Sequence, residues 1–287
     1  MSISIADIQI DLKSQLTVDE LGIRHRYSTF FGKPQNPLYH IDLTWSSFSA
    51  PFHFPVQLIF DPGEIWKMYR HGSDYYVSLC YRNTHLPFSQ QDMFHTNDRW
   101  NKIQLVERPT GPSWKSLLNV GAGELILRTA VLFTQGLVFH ASGIDDHGKG
   151  VLFVGHSGAG KTTQVCIWQK EENVKALNDD RVVVRVTPQG IISYGTPWGG
   201  TAEIANNHSV PLRAIFVLEQ AKENSIHPVP ISKIFQTLLP RVFLPYWDSD
   251  LMDLAMNNLQ AIIERVPVYF LKCRPEREVI PMVRSLL

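Results

Sequence analysis

Cysteine is scarce in this chain. Only three occur in 287 residues, Cys80, Cys166 and Cys273, far apart and without CxxC or Cys/His ligand spacing. A structural zinc site and a disulfide framework are therefore not expected, and a reducing compartment suits the chain. Net charge is lacking as well. The 27 Lys and Arg balance 27 Asp and Glu, so no global field recruits nucleic acid or an anionic membrane. Long apolar runs are missing: the longest are strand-length or interrupted by a charge such as Arg128, and nothing is expected to span a bilayer. The opening MSISIADIQIDLK carries acids early and has no basic flank before an apolar core. It does not read as a signal peptide, and the expected location is the cytoplasm. No internal repeat or low-complexity tract occurs.

What is present is a globular composition, 44% hydrophobic and 19% charged, long enough for one large domain or two modest ones. Residues 1–112 are rich in aromatics and turn residues: Pro34, Pro37, Pro51, Pro55, Pro62 and Gly63, then Pro109, Gly111 and Pro112. Short runs between them, at 75–81 and 102–107, read as strands, which predicts a β-rich or α+β N-terminal region. The boundary is placed in the turn-forming segment 107–112, giving regions 1–112 and 113–287. Ser113 is read as the cap of a helix over about 114–135, its middle weakened by Gly121 and Gly123. Strands are expected at 137–144 and 150–154, joined by an Asp/Gly-rich hairpin link. A helix at 162–171 follows, then strands at 174–177, 181–186, 191–194 and 214–218. Helices at 231–239 and 251–264, a strand at 268–271 and a closing helix over 275–286 complete the pattern. Alternating strands and helices after residue 113 argue for an α/β core.

Gly155-His156-Ser157-Gly158-Ala159-Gly160-Lys161-Thr162 matches the Walker A pattern at every fixed position. An apolar run, 151–154, enters it, and a helical run beginning at Thr163 leaves it, which is the context the motif requires. Its glycines let backbone N–H groups wrap phosphate oxygens, and the helix N-terminus adds partial positive charge. Lys161 is expected on the β- and γ-phosphates and the Thr162 hydroxyl on magnesium, so ATP and Mg²⁺ are the expected ligands.

A nucleotide alone does not define a reaction. Residues 175–180 read as a short strand ending in two carboxylates, Asp179 and Asp180. Neighbouring residues of a strand face opposite ways, so both acids can serve one site only if the chain bends there. Metal or proton chemistry and a plain solvated turn both fit that segment. His140 lies on the strand before the one feeding the Walker A segment, and alone reads more readily as a hydrogen-bonded core histidine than as a site residue.

Together, His140-Ala141-Ser142-Gly143, the run from Gly148 through Thr162, and Asn178-Asp179-Asp180-Arg181-Val182 resemble the motifs of the HPr kinase/phosphorylase superfamily. The nucleotide domain of that superfamily is similar to that of phosphoenolpyruvate carboxykinase. The resemblance covers about residues 113–287. It implies an α/β fold: a P-loop kinase core of that type with a mixed sheet. It places the proton-accepting base on Asp179, the metal on Asp180 or its water shell with the reverse left open, and His140 against the pair. A further magnesium ligand falls on Glu203. It also implies a phosphotransferase acting on a hydroxyl, with a serine of a protein or peptide as acceptor. HPr kinases are hexamers, which raises a homo-oligomer, although no oligomerisation signature is found here. The chain departs from those enzymes where Ile204-Ala205-Asn206-Asn207 replaces their Arg-Gly-x-Gly signature, which puts HPr as substrate and the phosphorylase reaction in doubt. Gly195–Trp198 and 211–220 are closer to a broad group of HPr-kinase-related proteins. A nucleotide-binding scaffold without transfer activity and a small-molecule kinase are the alternatives.

Overall fold

The computed structural model describes residues 1–34, 36–47, 56–63, 66–79, 92–107, 116–119 and 121–287. Cys80, the expected helix start at Ser113 and Trp114, and most of the expected boundary at 107–112 lie outside the described residues. Two units are distinguished. The first is Met1–Ala130 with Pro245–Ser249, and the second is Val131–Leu244 with Asp250–Leu287.

The first unit is built on a mixed sheet of eight strands: β1 (Ser2–Ile5), β2 (Ile8–Lys13), β3 (Tyr39–Ser47), β4 (Gln57–Phe60), β5 (Trp66–His71), β6 (Asp74–Leu79), β7 (Asp92–Thr96) and β8 (Lys102–Glu107). Their order is β1-β2-β3-β8-β7-β6-β5-β4. The β2–β3 and β3–β8 pairs are parallel and the others antiparallel. A one-turn helix α1 (Arg24–Tyr27) and α2 (Gly121–Ala130) belong to the same unit. The core of the unit is largely apolar among the described residues, and Glu107 is fully buried in it. Its carboxylate accepts hydrogen bonds from Trp45 Nε1 and Ser116 Oγ, each at 3.0 Å, and from the Leu117 amide. Burial pushes this carboxyl up to about 7 against those hydrogen bonds.

The second unit carries the other eight strands. They are β9 (Gly136–Asp146), β10 (Lys149–Val154), β11 (Val174–Asn178), β12 (Arg181–Thr187), β13 (Gly190–Tyr194), β14 (Ser209–Gln220), β15 (Ser225–Pro228) and β16 (Val268–Cys273). Five of them close a circuit, β9-β12-β13-β14-β10 and back to β9. Closure is possible because β9 and β14 are long and change partners midway. The first half of β9 pairs with β12 up to His140, and its second half pairs with β10 from Ala141 onward. The C-terminal half of β14 runs parallel to both β10 and β16. The β9–β10 hairpin forms as expected from its link, His147 and Gly148 taking φ of 53° and 83°. Helices α3 (Lys161–Trp168), α4 (Ile231–Leu238), α5 (Ser249–Ile263) and α6 (Val279–Arg284) complete the unit. Val151, Phe153, Trp168, Phe216, Leu271 and Ile280 form its core where α3 and α6 pack with the parallel strands.

Two helices differ from expectation. Among the described residues, the one expected over 114–135 is an α-helix over Gly121–Ala130, with 3-10 turns at Leu117–Asn119 and Val131–Thr134. Gly121 starts the helix instead of weakening its middle, in line with its poor propensity inside one. The closing helix begins at Val279, not 275, because Arg274 and Glu276 hold each other in the preceding loop at 2.9 Å. Strand β15 was not anticipated. Among the described residues no helix is long and apolar enough to cross a membrane.

Candidate active site

Gly155–Thr162 lies between β10 and α3, and its shape is set by glycine. Gly158 and Gly160 adopt φ of 80° and 102°, a region L side chains rarely enter, and Gly160 is the N-cap of α3. Lys161 folds back over this turn, its Nζ donating to the carbonyls of Gly155 (3.1 Å) and His156 (3.2 Å). Burial lowers the pKa of the amine; Asp180 opposes that shift and the Arg241 guanidinium adds to it. Ser142 Oγ, from the His-Ala-Ser-Gly run of β9, donates to the Lys161 carbonyl at 2.8 Å and ties the strand to the first turn of the helix.

The paired aspartates occupy the bend between β11 and β12, and Asn178 makes that bend. Its Oδ1 accepts the amides of Asp180 and Arg181, both at 2.7 Å. Its Nδ2 donates to Thr196 O, Thr196 Oγ1 and Trp198 O. A fully buried side-chain amide with all these partners specifies one conformation. The two acids consequently engage different partners.

Asp179 is buried and accepts three backbone amides from one loop: Gly200 at 2.7 Å, Ala202 at 2.9 Å and Ile204 at 3.2 Å. Any Cβ at residue 200 would meet Asp179 Oδ2 at 2.9 Å, so glycine is what lets the loop approach. Asp180 instead faces His140, whose Nε2 lies 3.0 Å from its Oδ1, and Arg181, whose guanidinium donates to its Oδ2. Burial raises the Asp180 pKa, but the His140 hydrogen bond and the charges of Arg181, His140 and Lys161 outweigh it and hold the carboxyl below its ordinary value.

These groups line one cavity of about 570 Å³. His140, Lys161, Asp179 and Asp180 meet there with Ser157, Gly158, Gly160, Thr162 and Thr163, while Gly200 and Thr201 contribute the loop. Other candidates stand apart from it. Gly155 and His156 supply carbonyls to Lys161, and Ala159 is buried behind the turn. Glu203 is exposed with φ of 53° and is not among the residues lining the cavity. Trp198 is buried, its carbonyl held by Asn178.

Arg241 was not anticipated. It ends the 3-10 turn Leu239–Arg241, and the next two residues are fastened to β9 beside His140. Val242 bridges Phe139, and the Phe243 amide donates to Val138 O at 3.0 Å. Arg241 Nε is buried without a hydrogen-bond partner. No local motif marks this residue, which is 80 positions from Lys161 in sequence.

The fold and site define a mixed α/β protein with a glycine-shaped strand–turn–helix beside an acidic pair. The chain belongs to the family described as SynChlorMet cassette protein ScmC, whose model matches residues 114–276. No curated protein matches the sequence. Among solved structures, the Hpr(Ser) kinase/phosphatase from Coxiella burnetii overlaps at a TM-score of 0.30 and 12% identity, covering 52% of this chain and 87% of that one. An overlap of that size carries no argument about fold or function.

Proposed function

We propose that this chain is an ATP-dependent kinase that transfers the γ-phosphoryl group to a hydroxyl, that of a serine in a protein or peptide. The observation that supports it most is the single cavity holding Lys161, Thr162 and the aspartate pair at the mouth of the glycine-shaped turn. The motif resemblance to HPr kinases points the same way.

The residues present fit the ligands this requires. Gly158 and Gly160 leave their backbone open to phosphate oxygens. Among the described residues no three His, Cys, Asp or Glu side chains form a metal cage. Magnesium does not need one, since it keeps several waters and takes one or two protein oxygens beside the phosphates. Thr162 would hold it beside the phosphates, with Asp180 reaching its water shell. When bound, the metal neutralises charge on the phosphates during transfer.

In this reading Asp180 is the proton acceptor, the reverse of the order the resemblance implies, because both oxygens of Asp179 already accept loop amides. It takes the hydroxyl proton as the new O–P bond forms and the bond to the β-phosphate oxygen breaks, leaving ADP. His140 orients Asp180 through the 3.0 Å contact. Asp179 holds the loop of Gly200 and Thr201 over the cavity and so excludes water. Lys161 supplies positive charge where the transferring group carries negative charge.

A second reading, a nucleotide-dependent scaffold, draws on the engagement of Asp180 by Arg181. Mass spectrometry of serine-containing peptides incubated with the protein, ATP and magnesium separates the two. A phosphorylated peptide is expected; bound ATP with no acceptor modified would favour the scaffold.

A further inference from the structure

A second cavity, of about 280 Å³, adjoins the first and shares Gly158, Gly160 and Thr163 with it. We propose that it takes the nucleobase and ribose of the nucleotide, with adenine read through its exocyclic amine; this rests on the phosphate reading of the first cavity.

Position is the first argument. The three parallel strands β10, β14 and β16 all end here, at Val154, Gln220 and Cys273. Ligands of α/β sheets bind beyond the carboxyl ends of such strands. Gln220 pairs with Cys273, and the Ala221 amide donates to Cys273 O at 3.2 Å, so the two strand ends form one floor.

Chemistry is the second. Ala221, Cys273 and Pro275 make part of the wall apolar, and the amides of Gln164 and Gln220 add a polar edge. The cation among the lining residues, Arg274, is already paired with Glu276 at 2.8 Å, so the space suits a flat ring better than another phosphate. Both amide NH₂ groups are engaged: Gln220 Nε2 donates to Gly158 O at 2.8 Å and Gln164 Nε2 contacts Cys273 Sγ at 3.5 Å. Each NH₂ keeps a second hydrogen, but Gln164 Oε1 is buried without any partner. An acceptor in that state calls for a donor, and the amine of adenine is one.

The test is calorimetric titration of the full chain with magnesium and three probes: inorganic tripolyphosphate, ATP and ITP, which lacks the amine. ATP is expected to bind about tenfold or more tighter than tripolyphosphate. Ala221→Trp, which fills the cavity from a half-exposed position, should bring ATP down to the tripolyphosphate level and leave tripolyphosphate binding unchanged, which also reports an intact fold. Gln164→Met should erase most of the preference for ATP over ITP. Undiminished ATP binding by Ala221→Trp, or equal ATP and ITP binding by the unaltered protein, overturns the base assignment while tripolyphosphate binding still stands. Failure of the unaltered protein to bind any of the three overturns the phosphate reading and this inference with it.

Discussion

His140 Nε2 lies 3.0 Å from Asp180 Oδ1, while Asp179, one residue earlier, touches only backbone amides of the loop at 200–204 in the hydrogen bonds it accepts. Adjacent carboxylates with different partners predict different phenotypes. Asp180→Asn should lower phosphoryl transfer by roughly 10²–10⁴ with nucleotide affinity nearly unchanged. Asp179→Asn places an NH₂ against amides that need an acceptor and should destabilise the protein by about 1–3 kcal/mol. Peptide phosphorylation and thermal melts of both variants check this; equal kinetic losses with equal melting temperatures would remove the distinction.

His140→Ala leaves Asp180 unoriented but ionised by Arg181 and Lys161. The expected loss is in kcat, about tenfold, with KM for ATP unchanged. A lower melting temperature at full rate would return His140 to a core role.

Asn178 makes the bend on which both acids depend. Asn178→Ala should cost about 3 kcal/mol, because buried hydrogen-bonding groups lose their partner together. Denaturant unfolding measures it, and a change within about 0.5 kcal/mol would show that the bend is held by other contacts.

Much of the second unit was legible in local sequence. Helix α3 follows β10 across the Walker A segment because glycines, a strand-length apolar run and a helical run announce themselves within twenty residues. The bend at the paired acids could be required from the sequence, but its maker could not: Asn178 acts through Thr196 and Trp198, contacts that exist only once the chain has folded. Arg241 and the cavity at Cys273 were invisible for the same reason, since their neighbours are distant in sequence. The partner change of β9 at His140 likewise leaves no periodicity signal, because both halves alternate as one strand.

Glu107 predicts a pH dependence in the first unit. The unfolded carboxyl titrates near 4.5 and the folded one near 7. Between these values the folded protein holds a proton the unfolded chain has lost, so stability falls as pH rises, by roughly 3 kcal/mol across the interval. Asp11, held down to about 2 chiefly by its Ser2 hydrogen bond, acts below this range. Unfolding at several pH values from about 5 to 8 should show the decline, and Glu107→Gln should flatten it. An unchanged slope in that variant would mean another group is responsible.

The most direct measurement is a crystal structure with magnesium and a non-hydrolysable ATP analogue. The terminal phosphate is expected in the cavity between the Lys161 ammonium and the Asp180 carboxylate, wrapped by the amides of the 158–162 turn. A nucleotide lodged elsewhere, or one whose terminal phosphate turns away from Asp180, would contradict it.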